Sequence, residues 1–204
     1  MARTGIPMQI TPVDQDNNLF EIVDLVPQSL VDQITQTPWM SLQYKLEEGN
    51  RNLRRRVLNN QLSWINEWHD CMRQSWQSIV EQTTCNHLNY ADTGFWIDMP
   101  TYTCPIHTDG ELPGSIQMYW IGADTNIGTT WYHHKNQLDQ TRHVFKFIPN
   151  TGYIMINQPE PNGYRKLQWH GMLTPVPGIL NDPLTPFGLA LSVTWKGPSL
   201  IALV

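Results

Sequence analysis

The chain has 204 residues and a formal charge of −5, with 40% hydrophobic and 15% charged residues. That length suffices for one domain with a real core, so a single domain spanning 1–204 is expected, and the acidic balance argues against broad electrostatic binding to nucleic acid or to an anionic membrane. Three cysteines without a CxxC pair, and no run of eighteen apolar residues, argue against a zinc knuckle, a disulfide framework and a membrane span, so a cytoplasmic protein is expected.

LFEIVDLVP, residues 19–27, reads as a strand. QSLVDQITQTP then reads as a short helix, with Leu30, Val31 and Ile34 on one face and Pro38 beyond its end. The clearest helix starts near Ser63. Trp64, Trp68, Met72, Trp76 and Val80 recur every four residues, which makes a stripe suited to packing on a sheet. RNLRRR, residues 51–56, reads as a solvated loop or strand edge, with a lid that attracts an acidic substrate as its functional alternative.

After Asn89 the texture changes. TGFWIDM, SIQMYWIG, HVFKFIP, GYIMIN, WHGMLTPV and FGLALSVTW follow one another, separated by turn residues. In the last of these, Leu189, Leu191, Val193 and Trp195 alternate with Ala190, Ser192 and Thr194, so one face is buried. Residues 18–88 thus read as a strand with supporting helices, and 89–196 as an antiparallel sandwich or barrel. The expected fold class is α+β. WYHHK, residues 131–135, reads either as part of a pocket mouth or as an exposed hairpin tip.

The stretch CPIHTDGELPG holds a histidine and an aspartate two residues apart. On a strand His107 and Asp109 point the same way, an imidazole beside a carboxylate. Taken alone, the pair could equally be a polar turn. A catalytic metal needs a third ligand from a strand distant in sequence. His69 and His87 lie on or just past the helix, and His133, His134 and His143 lie between strands. His170, in WHGMLTPV at the start of a late strand, is the best candidate. His107, Asp109 and His170 would form a two-histidine, one-carboxylate facial triad, diagnostic of non-haem Fe(II) oxygenases.

The order of these parts resembles the Fe(II)- and 2-oxoglutarate-dependent dioxygenases, nearest the prolyl-hydroxylase-like branch. PIHTDG resembles the family's HxD at the end of the second jelly-roll strand, and SIQMYWIG the strand after it. IGTTWYHH resembles its GGxTxF loop, IPNTGYIMIN its Pro-x-x-Gly turn, WHGMLTPV its distal-histidine strand and GLALSVTW its final strand. LFEIVDLVPQSLVDQI resembles its N-terminal strand and helix, so the likeness runs over about residues 18–196. It implies a double-stranded β-helix (jelly-roll) core. It also implies Fe(II) at His107, Asp109 and His170, with 2-oxoglutarate as co-substrate, O2 as oxidant and hydroxylation of an amino-acid, peptide or small-molecule substrate.

The family usually carries an Arg or Lys on the last strand, where it pairs with the distal carboxylate of the keto acid. Here the corresponding place is near Gly188, and no Arg or Lys occurs between His170 and Lys196. Arg165, Lys166 and Lys146 are the candidates for another cation, Tyr119 for a hydrogen-bond donor in the same pocket, and Ser192 for the small polar companion on the last strand. The alternatives are a catalytically idle jelly-roll binding protein and a cupin-type metalloenzyme that uses no keto acid. The apolar tail SLIALV is a candidate contact strand for a homodimer.

Overall fold

The computed structural model describes residues 8–14, 19–46, 54–83, 93–99, 101–109, 114–120, 128–136, 141–156, 168–173 and 190–195. Arg165, Lys166, Gly188 and the SLIALV tail lie outside the described residues.

Twelve strands and two helices are described, with short 3-10 turns between some of them. In chain order they are β1 (Gln9–Asp14), β2 (Leu19–Val23), α1 (Gln28–Gln36), β3 (Tyr44–Leu46), β4 (Arg54–Val57), α2 (Ile65–Thr83) and β5 (Gly94–Asp98). Then come β6 (Cys104–His107), β7 (Gly114–Tyr119), β8 (Gly128–Tyr132), β9 (Thr141–Lys146), β10 (Thr151–Ile156), β11 (His170–Met172) and β12 (Ala190–Trp195). They build an eight-stranded sheet in the order β1-β2-β10-β7-β12-β5-β4-β3 and a four-stranded sheet in the order β6-β11-β8-β9. All described pairings are antiparallel. The protein is therefore mostly antiparallel β with few helices. Among the described residues no helix is long and apolar enough to cross a membrane.

Strand periodicity sorts the large sheet's side chains into two cores. On β7 and β10, Ile116, Met118, Ile154 and Ile156 face one way and meet Leu30, Val31 and Ile34 of α1 and Trp68, Met72 and Ile79 of α2. Burying α1's three aliphatic residues contributes roughly 1.5–3 kcal/mol each. The other face offers Tyr119, Tyr153 and Met155, which pack with Trp131, Phe145 and Met172 of the small sheet. Helices, large sheet and small sheet thus form three layers.

The helix stripe of α2 is rotated slightly from its four-residue repeat. Trp68, Cys71, Met72, Ile79 and Thr83 are buried, while Trp76 and Val80 are only half-buried. Four residues fall 40° past one turn at each repeat. A stripe of that spacing therefore drifts around the helix, and its later members leave the sheet.

Prolines occur in strands only where a ladder can spare a donor. Pro12 lies in β1 and Pro105 in β6, each at the edge of its sheet. Asn150 joins the β9–β10 turn to the start of α1. Its Oδ1 accepts from Val26 N at 3.2 Å and its Nδ2 donates to Val26 O at 2.9 Å. The residue adopts φ 58°, a conformation that asparagine tolerates. The adjoining Gly152 cannot be replaced freely, because a Cβ there would lie 1.9 Å from the Gln117 carbonyl oxygen.

Candidate metal centre

β6 and β11 are neighbours, and their register places His170 opposite His107. The strands approach closely because Gly171 follows His170; a Cβ at that position would sit 2.8 Å from the Cys104 carbonyl oxygen. Asp109 is not on the strand, since β6 ends at His107. Its carboxylate still reaches both imidazoles, 3.4 Å from His107 Nε2 and 3.7 Å from His170 Nε2. One donor atom from each of the three residues lies within 4.8 Å of the others.

Both histidines are oriented through their second nitrogen. His107 Nδ1 lies 2.8 Å from the Pro105 carbonyl, and His170 Nδ1 lies 2.9 Å from the Gln168 carbonyl. A carbonyl can only accept, so each Nδ1 carries the proton and each Nε2 is turned to the shared centre. Pro105 suits this task on an edge strand. Trp131, across from His170 on β8, stacks on its ring at 4.7 Å and 24°.

The three groups differ electrostatically. The Asp109 hydrogen bond, helped by Cys104, raises the His107 imidazole to about 10 against the effect of burial. Burial pushes the Asp109 carboxyl up, but the hydrogen bond and positive charge of His107 overcome it and hold it below the ordinary carboxylate range. Burial lowers His170, which is 4% exposed, so it is neutral. The metal-free site thus holds a proton between His107 and Asp109. A divalent cation fits as its replacement, offered two imidazole nitrogens and a carboxylate. Donors around an ion at about 2.1 Å would stand about 3.0 Å apart, so the 3.4 Å and 3.7 Å contacts, made by different oxygens of Asp109, would each have to shorten for the three to share one ion.

The triad opens on a cavity of about 180 Å³. Gln117 and Thr129 line its polar side; Phe147 and Met172 line its apolar side. Tyr119 stands one step behind, donating to Thr129 Oγ1 at 2.7 Å from a fully buried position. Ser192 lies opposite Gln117 on β12, and Ala190 lies opposite Tyr119. Lys146 is exposed on β9 and does not line the cavity. Trp131 and Tyr132 are buried, whereas His133–Asn136 form an exposed turn, so WYHHK is part core and part hairpin tip.

Arg54 also lines this cavity and was not singled out from the RNLRRR run. Its strand pairs with β5, so Arg54 faces Asp98. Arg54 Nε is 3.0 Å from Asp98 Oδ1, and its NH1 donates to Tyr102 Oη at 3.1 Å. Burial works against the guanidinium's charge, but Asp98 outweighs it and raises Arg54 above its ordinary value. Tyr102 arrives through a turn in which Thr101 takes φ 70°. A β-branched residue in that region costs about 1–2 kcal/mol.

A polar chain supports His170 from outside. Arg142 on β9 pairs with Asp14 of β1 and donates to Gln168 Oε1 at 3.4 Å; Gln168 in turn supplies the carbonyl that orients His170. Arg142→Gln is expected to weaken Ni(II) binding about tenfold, the lower end of the usual effect of losing an outer partner. Calorimetric titration alongside a thermal melt checks this. A lowered melting temperature with unchanged metal affinity would make Arg142 a purely structural tie.

No protein-family profile and no curated protein matches this chain. Solved structures do. A Pseudomonas putida prolyl-4-hydroxylase aligns with a TM-score of 0.57 at 12% identity, over 89% of this chain and 94% of its own. A Trichoplax adhaerens prolyl hydroxylase, solved with a hypoxia inducible factor peptide fragment, aligns at 0.58 and 10% identity, over 89% and 84%. HygX from Streptomyces hygroscopicus, solved with nickel and 2-oxoglutarate bound, aligns at 0.56 and 10% identity, over 90% and 84%. The chain therefore shares its fold with prolyl hydroxylases and with HygX, which was solved with nickel and 2-oxoglutarate bound.

Proposed function

We propose that this chain is a non-haem Fe(II)- and 2-oxoglutarate-dependent dioxygenase that hydroxylates an amino-acid, peptide or small-molecule substrate. The observation that carries the proposal is the convergence of His107, Asp109 and His170 at a cavity between two antiparallel sheets. Its frame is the double-stranded β-helix. Support for that frame is the interleaved order β5-β12-β7-β10 in one sheet and β6-β11-β8-β9 in the other. The fold neighbours support it too, since one of them holds nickel and 2-oxoglutarate.

When bound, Fe(II) would supply the activation of O2, one oxygen atom going to succinate as the keto acid loses CO2 and the other to the hydroxylated substrate. The chain's own residues prepare for it. His107, Asp109 and His170 would hold the ion through two imidazole nitrogens and one carboxylate. The Pro105 and Gln168 carbonyls hold both imidazoles in the tautomer that presents Nε2. Tyr119 and Tyr153 are buried phenols that burial keeps protonated. They donate to Thr129 and Gln117 and fix the cavity's polar floor. Phe147 and Met172 keep water from the centre.

The test is anaerobic reconstitution with Fe(II) followed by 2-oxoglutarate. A weak visible charge-transfer band, then succinate on admitting air, is the expected result. Iron binding without any response to 2-oxoglutarate would favour the cupin-type alternative. Absence of iron binding would leave the idle binding protein.

A further inference from the structure

We infer that Arg54 is the carboxylate-binding residue of the metal cavity, recruited from β4 in place of a cation on β12. The inference takes the metal's role from the proposed function, but the anion site can be tested apart from it.

Among the described residues that line the cavity, Arg54 is the only permanent cation. It is also held in place before any ligand arrives. Its guanidinium carbon lies 5.6 Å from the Trp96 ring centre and 5.2 Å from that of Tyr102, with Asp98 and Tyr102 Oη fixing one edge. An arginine clamped in this way has already lost most of its rotamer freedom, so a ligand gains its fork of donors at little entropic cost. The Nε contact to Asp98 is off the line of a hydrogen bond, and among the described residues Nε has no hydrogen-bond partner. The fork has more N–H groups than its one described hydrogen bond engages.

Charge points the same way. With a divalent ion at the triad, Asp109 and Asp98 cancel the ion, and Arg54 leaves the cavity with one net positive charge. Such a cavity favours an anion, and a planar guanidinium favours a carboxylate bound by two parallel hydrogen bonds. Arg56, exposed on the same face of β4, lies 5.4 Å from the Trp96 ring centre and extends the positive field outward. In a chain of net charge −5 this field is local to β4.

A carboxylate at Arg54 has two sources: the distal group of the keto acid, or a substrate. Calorimetry on the Ni(II)-loaded protein separates them, using 2-oxoglutarate, 2-oxopentanoate (a methyl in place of the distal carboxylate) and glutarate. If the keto acid is the source, wild type binds 2-oxoglutarate at least about tenfold tighter than 2-oxopentanoate, in line with a charged hydrogen-bonded pair, and Arg54→Gln makes the two equal. If the substrate is the source, wild type binds both keto acids alike. Glutarate then binds the 2-oxopentanoate-loaded protein in a manner lost in Arg54→Gln. A preference for 2-oxoglutarate that survives Arg54→Gln, or an absence of Arg54-dependent carboxylate binding in both arms, overturns the inference. Failure of the oxygenase reading looks different: Ni(II) binds but neither keto acid does, and glutarate added to the Ni(II) protein alone still decides whether Arg54 takes a carboxylate. The wild-type comparison needs no variant, and Asp98→Asn, which loosens Arg54 without removing it, should narrow the same preference only in part.

Discussion

His170→Ala is expected to lower affinity for Ni(II) or Fe(II) by more than about a hundredfold, because loss of an outer partner alone costs ten- to a hundredfold and this change removes a donor. The variant is more informative than His107→Ala. His107 and Asp109 form an ion pair at 3.4 Å, so deleting His107 also strips a mostly buried carboxylate of its charge partner. Deleting His170 removes a neutral ring and leaves that pair in place. The loss of metal binding can then be read as loss of a ligand. The protein should still fold, since the ring's contacts are a stack on Trp131 at 4.7 Å, a tilted contact with His107 at 4.4 Å and one hydrogen bond to the Gln168 carbonyl. Titration with Ni(II), together with a melt of the metal-free protein, checks both parts. Metal affinity unchanged within about threefold would remove His170 from the site and with it the facial triad.

The convergence of His107, Asp109 and His170 was legible because its signal is local on one side and positional on the other. HTD puts two donors within three residues, and His170 opens a strand in a chain whose strands could be counted from their turns. The strands β5, β7, β9, β10, β11 and β12 follow from apolar runs bounded by turn residues, whereas β8 falls in IGTTWYHH, which reads as a loop, and β6 enters only through the HTD pair. Three things were not legible. Asp109 lies past the end of β6, so the i, i+2 rule does not account for its place beside both imidazoles. The Trp131 stack under His170 depends on β8 and β11 being paired across many residues. Arg54 was hidden in a basic run, the composition of a solvated edge. A signal existed in RRRV: period two puts Arg54 and Arg56 on the face opposite to the buried Val57. What turns that face into a cavity wall is the pairing of β4 with β5, which sets Arg54 against Asp98. No pattern within either segment announces that register.

Trp68→Ala is the second large effect, at about 3–5 kcal/mol of stability. Trp68 is fully buried on α2, and its ring meets Phe95 and Trp120 edge-on, each at 5.6 Å. Its Nε1 donates to Thr93 Oγ1 at 3.1 Å, and Thr93 is itself fully buried. Alanine therefore leaves a cavity the size of an indole and takes a partner from a hydroxyl. For a domain of this size the loss corresponds to a fall in melting temperature of roughly 6–20 °C. Trp68→Phe keeps ring packing but not the donor and should cost clearly less. Denaturant melts of the metal-free variants check the values; a loss below about 1 kcal/mol would mean that α2 does not seal the outer face of the large sheet. The site shares in this core. Phe95 alternates with Trp96 and Asp98 on β5, so the face packed on Trp68 and the face that holds Arg54 belong to one strand. A sheet braced on its outer face keeps its inner face in register, and that register sets Arg54 against Asp98 and Gln117 beside the metal cavity.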